Sequence, residues 1–442
     1  MKKLGFGIVG LLLIATVYYF TAGSSQAVQE IKKQVNHELT TLQQNGFAIE
    51  QRESKAAEEH FVVSFDDPAK ITNYLISRGM QANQEDILVL EGLKLGVDAK
   101  YLQDSYSALS VNIYPLKLPR NVSENTDPED KAAVERLKKM IKEKVFLLHI
   151  DFNKLLNGFK GYVKDIHETF EGKEEKVTFT SQGFKFEGTV EKEKLKTVHQ
   201  SLQFLSLDAQ KAFNAKLSDI TFNYTFTGPS PYDTESDHHI GEIKIQAEPG
   251  FFIHMKNLNG TAKNSVQKGL LKSTVSSKAD EIRIMKDHKT YTLHNILFDL
   301  AIDKLDIAAF EAFQRVDIND TKAVNALSQK IFSKGFSVSI PNFSAEKITQ
   351  DGTTMDGFDL SSSWSINRVL DINAVSQDPF SSISIFSNKT HISVSADLFA
   401  HIVKDPRAMM FIMLLPPVEK EGRKIYDIEF INGKLTVNGT SF

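Results

Sequence analysis

The chain has no cysteine among its 442 residues. That excludes disulfide staples, a thiolate nucleophile and zinc–thiolate sites, and it leaves stability to core packing. Tryptophan is almost missing as well, with Trp364 alone against 31 phenylalanines. So much phenylalanine suits an interior assembled from many alternating strands. No long run of one charge sign occurs, and Lys plus Arg (52) nearly balance Asp plus Glu (56). Nucleic-acid surfaces need concentrated positive charge, so no nucleic-acid partner is expected. The GxSxG elbow, the HExxH helix and the GxxxxGK[ST] loop are all absent, which removes the common serine-hydrolase, zincin and P-loop readings. The 12 histidines include no HxH or HxxxH pair. No catalytic, cofactor-binding or metal residue is therefore assigned, and no cofactor is expected. Beyond residue 23 there is no membrane-length apolar run. Met409–Leu415 is too short to span and is stopped by Pro416-Pro417. It is expected in the core, the alternative being a lipid-accepting groove or a partner contact suited to adaptable methionines.

What is present begins at Leu4–Phe20, LGFGIVGLLLIATVYYF, uncharged and preceded by Lys2 and Lys3. At about 1.5 Å per residue it reaches roughly 25 Å as a helix, and Thr21 to Gly23 extend it toward the hydrocarbon thickness. The lysines hold the N-terminus in the cytoplasm, and Tyr18, Tyr19 and Phe20 fall at an interfacial aromatic belt. The expectation is a single-pass anchor over residues 1–23 in a bacterial inner membrane, touching the lipid bilayer through Leu4–Phe20, with the body in the periplasm. The rival is a cleaved signal peptide, for which Ser25-Gln26-Ala27 resembles a cleavage site. The length of the run and its bulky aromatic end favour retention. Gly5, Gly7 and Gly10 spell GxGxxG, with Glu30 beyond. Only four residues precede Gly5, leaving no room for the strand a dinucleotide site requires, so these are read as glycines of a membrane helix.

Val28, Ile31, Val35, Leu39 and Leu42 recur at helical spacing, giving a juxtamembrane helix over 24–46 closed by Gly46. A small α+β domain follows over 47–126, with a helix opened by Asp67-Pro68 and strands at Ile87–Val97 and Leu109–Leu118. Asp127-Pro128 opens a connecting helix over 127–160, carrying Ala133, Leu137, Ile141, Val145 and Leu148 on one face. Residues 161–442 read as a larger β-rich domain. Within it, helical pieces are expected at Lys192–Leu205, at Asp208–Leu217, near 306–334 (with Asp320 as a cap) and near 396–415 (with Ser395 as a cap). Val177–Ser181 and Gly183–Val190 alternate around a turn. Asn259-Gly260 reads as a further turn, and Asn432-Gly433 as a two-residue hairpin. The fold class expected is α+β: mainly antiparallel, curved sheets with packed amphipathic helices, after one N-terminal transmembrane helix.

Asp233, Glu235, Asp237, His238 and His239 crowd together after Gly228-Pro-Ser-Pro231. They are read as a solvated loop, because nothing at regular spacing would fix a metal geometry. Asp66-Asp67 and Asp317–Asp320 are read as helix caps, not as acid–base pairs. The Asn-x-Ser/Thr triplets at Asn121, Asn259, Asn319, Asn342, Asn388 and Asn438 are not read as glycosylation sites, since several fall where turns favour Asn.

Several stretches together carry a resemblance. They are Leu293-His-Asn-Ile-Leu-Phe-Asp-Leu, a helix with Phe310 and Phe313, Phe336-Ser-Val-Ser-Ile-Pro, Met355-Asp-Gly-Phe-Asp-Leu, and Ile431-Asn-Gly-Lys-Leu-Thr-Val-Asn-Gly439. In this order, over Gly161–Phe442, the chain resembles the YdgA-like family. The resemblance implies a bacterial protein with an N-terminal membrane anchor and a large periplasmic part, without an activity established for the family and without catalytic residues to carry over. The functional expectation is a non-enzymatic binding or envelope-organising protein, whose partner is another periplasmic protein or a second copy of itself. The alternative is a carrier of lipid or another apolar ligand along a Phe-lined sheet. An envelope-polymer hydrolase is the third reading.

Overall fold

The computed structural model describes residues 28–77, 87–102, 107–123, 131–171, 176–191, 194–210, 212–247, 250–314, 316–317, 319–366 and 386–442. The expected Leu4–Phe20 anchor, the Ser25-Gln26-Ala27 site and the Asp127-Pro128 helix start lie outside these residues. Among the described residues no helix is long and apolar enough to cross a membrane. Strands account for 61% of the described residues and helices for 20%, which overturns the α+β class. The architecture is mainly antiparallel β with short helices between strands. The largest single reason lies at 194–226. Where helical pieces were expected as far as Leu217, Lys194–Ala209 and Phe213–Phe226 form an antiparallel pair, from Thr197 opposite Thr225 to Ala209 opposite Phe213. Its β-branched and aromatic content suits a pleated surface better than a helix.

Contacts divide the chain into two compact units, Met1–Phe226 and Thr227–Phe442. The first runs α1 (Val28–Gln44), β1 (Phe47–Ser54), β2 (Glu58–Phe65), α2 (Pro68–Ser77), β3 (Lys94–Tyr101), β4 (Ser107–Lys117), α3 (Arg120–Ser123), α4 (Lys131–Lys142), β5 (Leu148–Asn153), β6 (Gly158–Val163), β7 (Ile166–Glu171), β8 (Lys176–Gln182), β9 (Lys185–Glu191), β10 (Lys194–Ala209) and β11 (Phe213–Phe226). Val35 and Leu39 of α1 and Ile71 and Leu75 of α2 pack on the face of β2–β5 that carries Phe61, Val97, Val111 and Ile150, forming one large core. Gly46 closes α1 in a left-handed conformation, and its carbonyl accepts from the N–H groups of Asp66 and Asp67. Asp67 Oδ1 in turn accepts from the Lys70 N–H at 3.1 Å, so Asp67 is a cap. α4 stops at Lys142 and Lys144 turns left-handed, so Val145 and Leu148 leave the helix and Leu148 joins the sheet core.

β6 and β9 hold two reciprocal pairs: Phe159 opposite Gly188, and Gly161 opposite Phe186. Each ring lies over the bare backbone of the facing glycine. A Cβ at Gly188 would come within 2.4 Å of Phe159 Cζ, and one at Gly161 within 2.4 Å of Phe186 Cζ. Tyr114 covers Gly96 in the same way. β8 and β9 both pair with β10 and continue one another through a kink at left-handed Gly183. The turn expected between 177 and 190 is thus a bend in a strand. Beneath the sheet the buried Glu59 carboxylate accepts from the Tyr101 hydroxyl at 2.7 Å and pairs with Arg52. Burial, first of all, and this carboxylate push the Tyr101 phenol well above its ordinary range.

The second unit comprises β12 (Thr234–Ala247), β13 (Phe251–Gln267), β14 (Leu270–Lys286), β15 (Lys289–Asp306), α5 (Ile307–Phe313), α6 (Thr321–Phe332), β16 (Ser337–Gln350), β17 (Thr353–Ile366), β18 (Phe386–Ser395), α7 (Ala396–Ile402), α8 (Pro406–Leu414), β19 (Val418–Lys420), β20 (Arg423–Ile431), β21 (Lys434–Val437) and β22 (Thr440–Ser441). From β12 to β18 each strand pairs antiparallel with the next, and β20 then pairs with β18. Asp306, Asp320 and Ser395 cap α5, α6 and α7 by accepting from the third N–H beyond. Asn432 and Gly433 are both left-handed, and Ile431 faces Lys434, which makes a type I′ hairpin. Asn259-Gly260 is no turn; it lies inside β13, with the His238 ring against Gly260.

A crease crosses this sheet. Asn257 and Asn295 are left-handed. Asn257 donates to Asp280 at 2.7 Å and Asn295 to Glu346 at 2.5 Å, each linking adjacent strands. Across that line the pleat slips by one residue. Ala279 and Ile282, Ile296 and Leu293, and Ala345 and Ile348 are each three apart, yet all pack in one cluster. Ordinary strands bring residues to one face at even spacing, so this row acts as a set of aligned bulges.

Candidate functional site

In the second unit the pairing registers assign side chains to two faces of unlike chemistry. One carries Phe298, Leu300 and Ile302 of β15, Ile340 and Phe343 of β16, Phe358, Leu360 and Trp364 of β17, Ile392 of β18, and Tyr426, Ile428 and Phe430 of β20. The polar positions between these residues are Ser, Thr and Asn, such as Ser362, Thr390 and Asn388, which bond to one another. Among the described residues, no charged side chain stands on this stretch. α5 and α6 close one end, packing Ala309 and Ile331 against Ile302 and Leu305. α7 closes the other, packing Leu398 on Met355 and Val394. In between, most of the apolar side chains are half-sheltered, with Tyr426 buried. Phe343 stands edge-on to Phe298 at 6.0 Å and to Phe358 at 5.1 Å between centroids. Trp364 keeps 43% of its surface exposed.

The opposite face is polar. Ser339, Ser361, Ser363, Lys389, His391 and Asp427 line a shallow depression of about 650 Å³. Its charges are used locally: His391 Nδ1 lies 2.7 Å from Asp427, and Lys389 lies 3.1 Å from Glu429. Further along, Glu242 takes both Lys244 and His254 at 2.7 Å. The Lys244 contact, assisted by His254, holds its carboxyl below the usual carboxylate range.

The acidic and histidine cluster at 233–239 proves to be strand and not loop. Asp233 is buried, and its two oxygens accept from the N–H groups of Ser230 (3.0 Å) and Val266 (2.7 Å), which pins the start of β12. Glu235 and His239 pair across to Lys263 and Asn259, whereas His238 lies over Gly260 on the other face. Alternation therefore splits the cluster, and among the described residues no group of three or more metal-ligating side chains converges. Asp320 caps α6, whereas Asp317 accepts from the Asn319 N–H in the turn before it. In the first unit a second polar depression, of about 500 Å³, lies over a row in which Asp151, Lys160, Glu187, His199 and Asn223 face one another in turn.

Met409–Leu415 contradicts the expected burial. On α8, Met409 (53% exposed), Met410 (65%), Met413 (76%) and Leu414 (69%) all point outward. The apolar face of the second unit went unassigned in the sequence, although its signal was there. Phe298, Leu300 and Ile302 alternate with Asp299 and Asp303, and Leu360 precedes a serine run broken only by Trp364.

Among protein families, the one described as "Bacterial protein of unknown function (DUF945)" matches residues 119–347, just over half of the chain. The chain belongs to that family. The DUF945 match takes in β12–β15 and most of β16, and it ends before α8. Comparison with curated proteins and with solved structures gave no match.

Proposed function

We propose that this DUF945 protein is a non-enzymatic binding protein of the bacterial envelope that seats the acyl chain of a lipid on the uncharged face of its second unit. The observation that supports this is the strip from Phe298 to Phe430, apolar, without charge and half-sheltered between helices at its two ends. Ligand sites are commonly lined by apolar and aromatic groups with few polar ones, and a narrow flexible chain fits such a strip better than a protein surface with its polar rim. The N-terminal Lys2-Lys3 and the apolar Leu4–Phe20 support placement in the inner membrane, with the N-terminus cytoplasmic and the body periplasmic. The YdgA-like resemblance supports the same placement.

Trp364, the chain's one tryptophan, sits on the proposed surface and reports on it directly. Titration with a brominated fatty acid is expected to quench its emission, and native mass spectrometry of protein extracted without added lipid is expected to show a lipid adduct. Unquenched Trp364 together with a clean apo mass overturns the reading.

A further inference from the structure

We infer that α8 is a membrane-docking element that lays its outer side into an anionic bilayer surface. On this nine-residue helix Met409, Met410, Met413 and Leu414 are exposed beside Pro406 and Arg407, while Ala408 and Ile412 are partly sheltered. The usual arrangement of a surface helix is thus missing, because the exposed side carries apolar residues where polar ones are the rule. Ile402 and Val418, which flank α8 in the chain, are exposed as well. Three exposed cations lie near it in the chain. Lys404, Arg407 and Lys420 make no ion pair among the described residues; of the nearby acids, Asp405 caps the Arg407 N–H at 2.8 Å and Glu419 pairs with Lys424, while Glu421 stands exposed beside Lys420. An apolar arc edged by lysine and arginine is the pattern of a helix lying in the headgroup boundary of an anionic membrane, with the long basic side chains reaching the phosphates. A protein partner is the poorer fit, since a stable protein interface takes roughly 20–30 residues a side and this patch offers far fewer apolar ones. Methionine adds a soft, unbranched surface that adapts to disordered chains.

This inference does not depend on an acyl chain bound at Trp364, and the test separates the two. The chain has no native cysteine, so single-cysteine labelling of the full chain is unambiguous. Met413→Cys and, on the polar sheet face, Lys278→Cys are labelled with an environment-sensitive fluorophore and mixed with vesicles of phosphatidylethanolamine and phosphatidylglycerol. The expected result is a blue shift and loss of most of the emission to doxyl-labelled lipid at position 413, with neither at 278. Vesicles of neutral lipid alone, or the triple variant Lys404→Glu/Arg407→Glu/Lys420→Glu, are expected to weaken both signals. Water-like emission at 413 in both kinds of vesicle overturns the proposal. So does a blue shift that doxyl lipid does not quench but that tracks protein concentration and disulfide crosslinking of two Met413→Cys chains, since a second copy would then cover the helix. Met409→Asp/Met413→Asp is expected to abolish the vesicle signals, read from a label at Met410→Cys, while leaving quenching of Trp364 by brominated fatty acid intact.

Discussion

Gly188→Ala is expected to destabilise the protein, although a strand glycine replaced by alanine ordinarily does the reverse. Gly188 does not occupy the left-handed region, so alanine meets no conformational penalty there. By the unfolded-chain argument alone the substitution should stabilise by about 0.4–1 kcal/mol. The structure turns the sign. The new Cβ would lie 2.4 Å from Phe159 Cζ and 2.4 Å from the Thr197 carbonyl oxygen, where ordinary contacts begin near 3.4 Å. Each neighbour is therefore about an ångström too close. The ring can swing aside, but the Thr197 carbonyl is held where β10 pairs with both β9 and β11. Overpacking of this kind costs about 1–3 kcal/mol, which at about 2–4 °C per kcal/mol for a unit of this size lowers the Tm by roughly 2–12 °C. Urea and thermal unfolding of the full chain, followed by far-ultraviolet circular dichroism, measure it. The double variant Gly188→Ala/Phe159→Leu is expected to recover little, because the carbonyl is the harder wall. A Tm that is unchanged or raised in Gly188→Ala refutes the reasoning, and full recovery in the double variant shows that the ring alone sets the limit.

Tyr101→Phe removes the hydroxyl that serves the buried Glu59 carboxylate, so chemical denaturation is expected to show a loss of about 1.5–3 kcal/mol, as for a hydrogen bond to a charged group. Gly433→Ala puts a Cβ into the left-handed second position of the hairpin turn, and the same measurement should read a cost of about 1 kcal/mol. Asp397 is held below the ordinary carboxylate range first by the Ser395 hydroxyl and then by the Asp356 and Leu398 N–H groups. A depressed folded-state pKa stabilises at neutral pH, and the benefit is lost as the pH falls through it. Asp397→Asn is therefore expected to be less stable than the parent at pH 7 and to converge with it only as the pH falls through the depressed carboxyl pKa, as a pH series of Tm values would reveal.

Local chemistry was the most legible part of the sequence. The Asn432-Gly433 turn and the caps at Asp67, Asp320 and Ser395 depend on residues within a few positions of one another, and the structure has each of them. What failed depended on distant pairing. Residues 194–226 carry apolar groups at spacings that fit a helix or a strand, and only the partners across the sheet decide between them. Asn259-Gly260 has the composition of a turn but serves as a glycine beneath a histidine ring. Asp233–His239 looked solvated because its charges are dense, yet strand alternation sends neighbours to opposite faces. The outward methionines of α8 defied the rule that apolar runs are buried, as a surface that meets apolar material from outside would. The candidate face was hidden for a related reason, since its members come from strands far apart in the chain that the sheet brings side by side.

The crease through Asn257, Asp280, Asn295 and Glu346 restricts how this gene can change length. Losing one codon at the crossing point in a single strand would restore a regular pleat there and turn the remainder of that strand inside out. Its leucines would then be presented to water and its lysines to the apolar strip. Neighbouring strands, still slipped, would no longer match it. Insertions and deletions in β13 to β16 are therefore tolerable only at the hairpin tips, or as one coordinated change in all the strands the line crosses, so spacing across these strands should be inherited as a block.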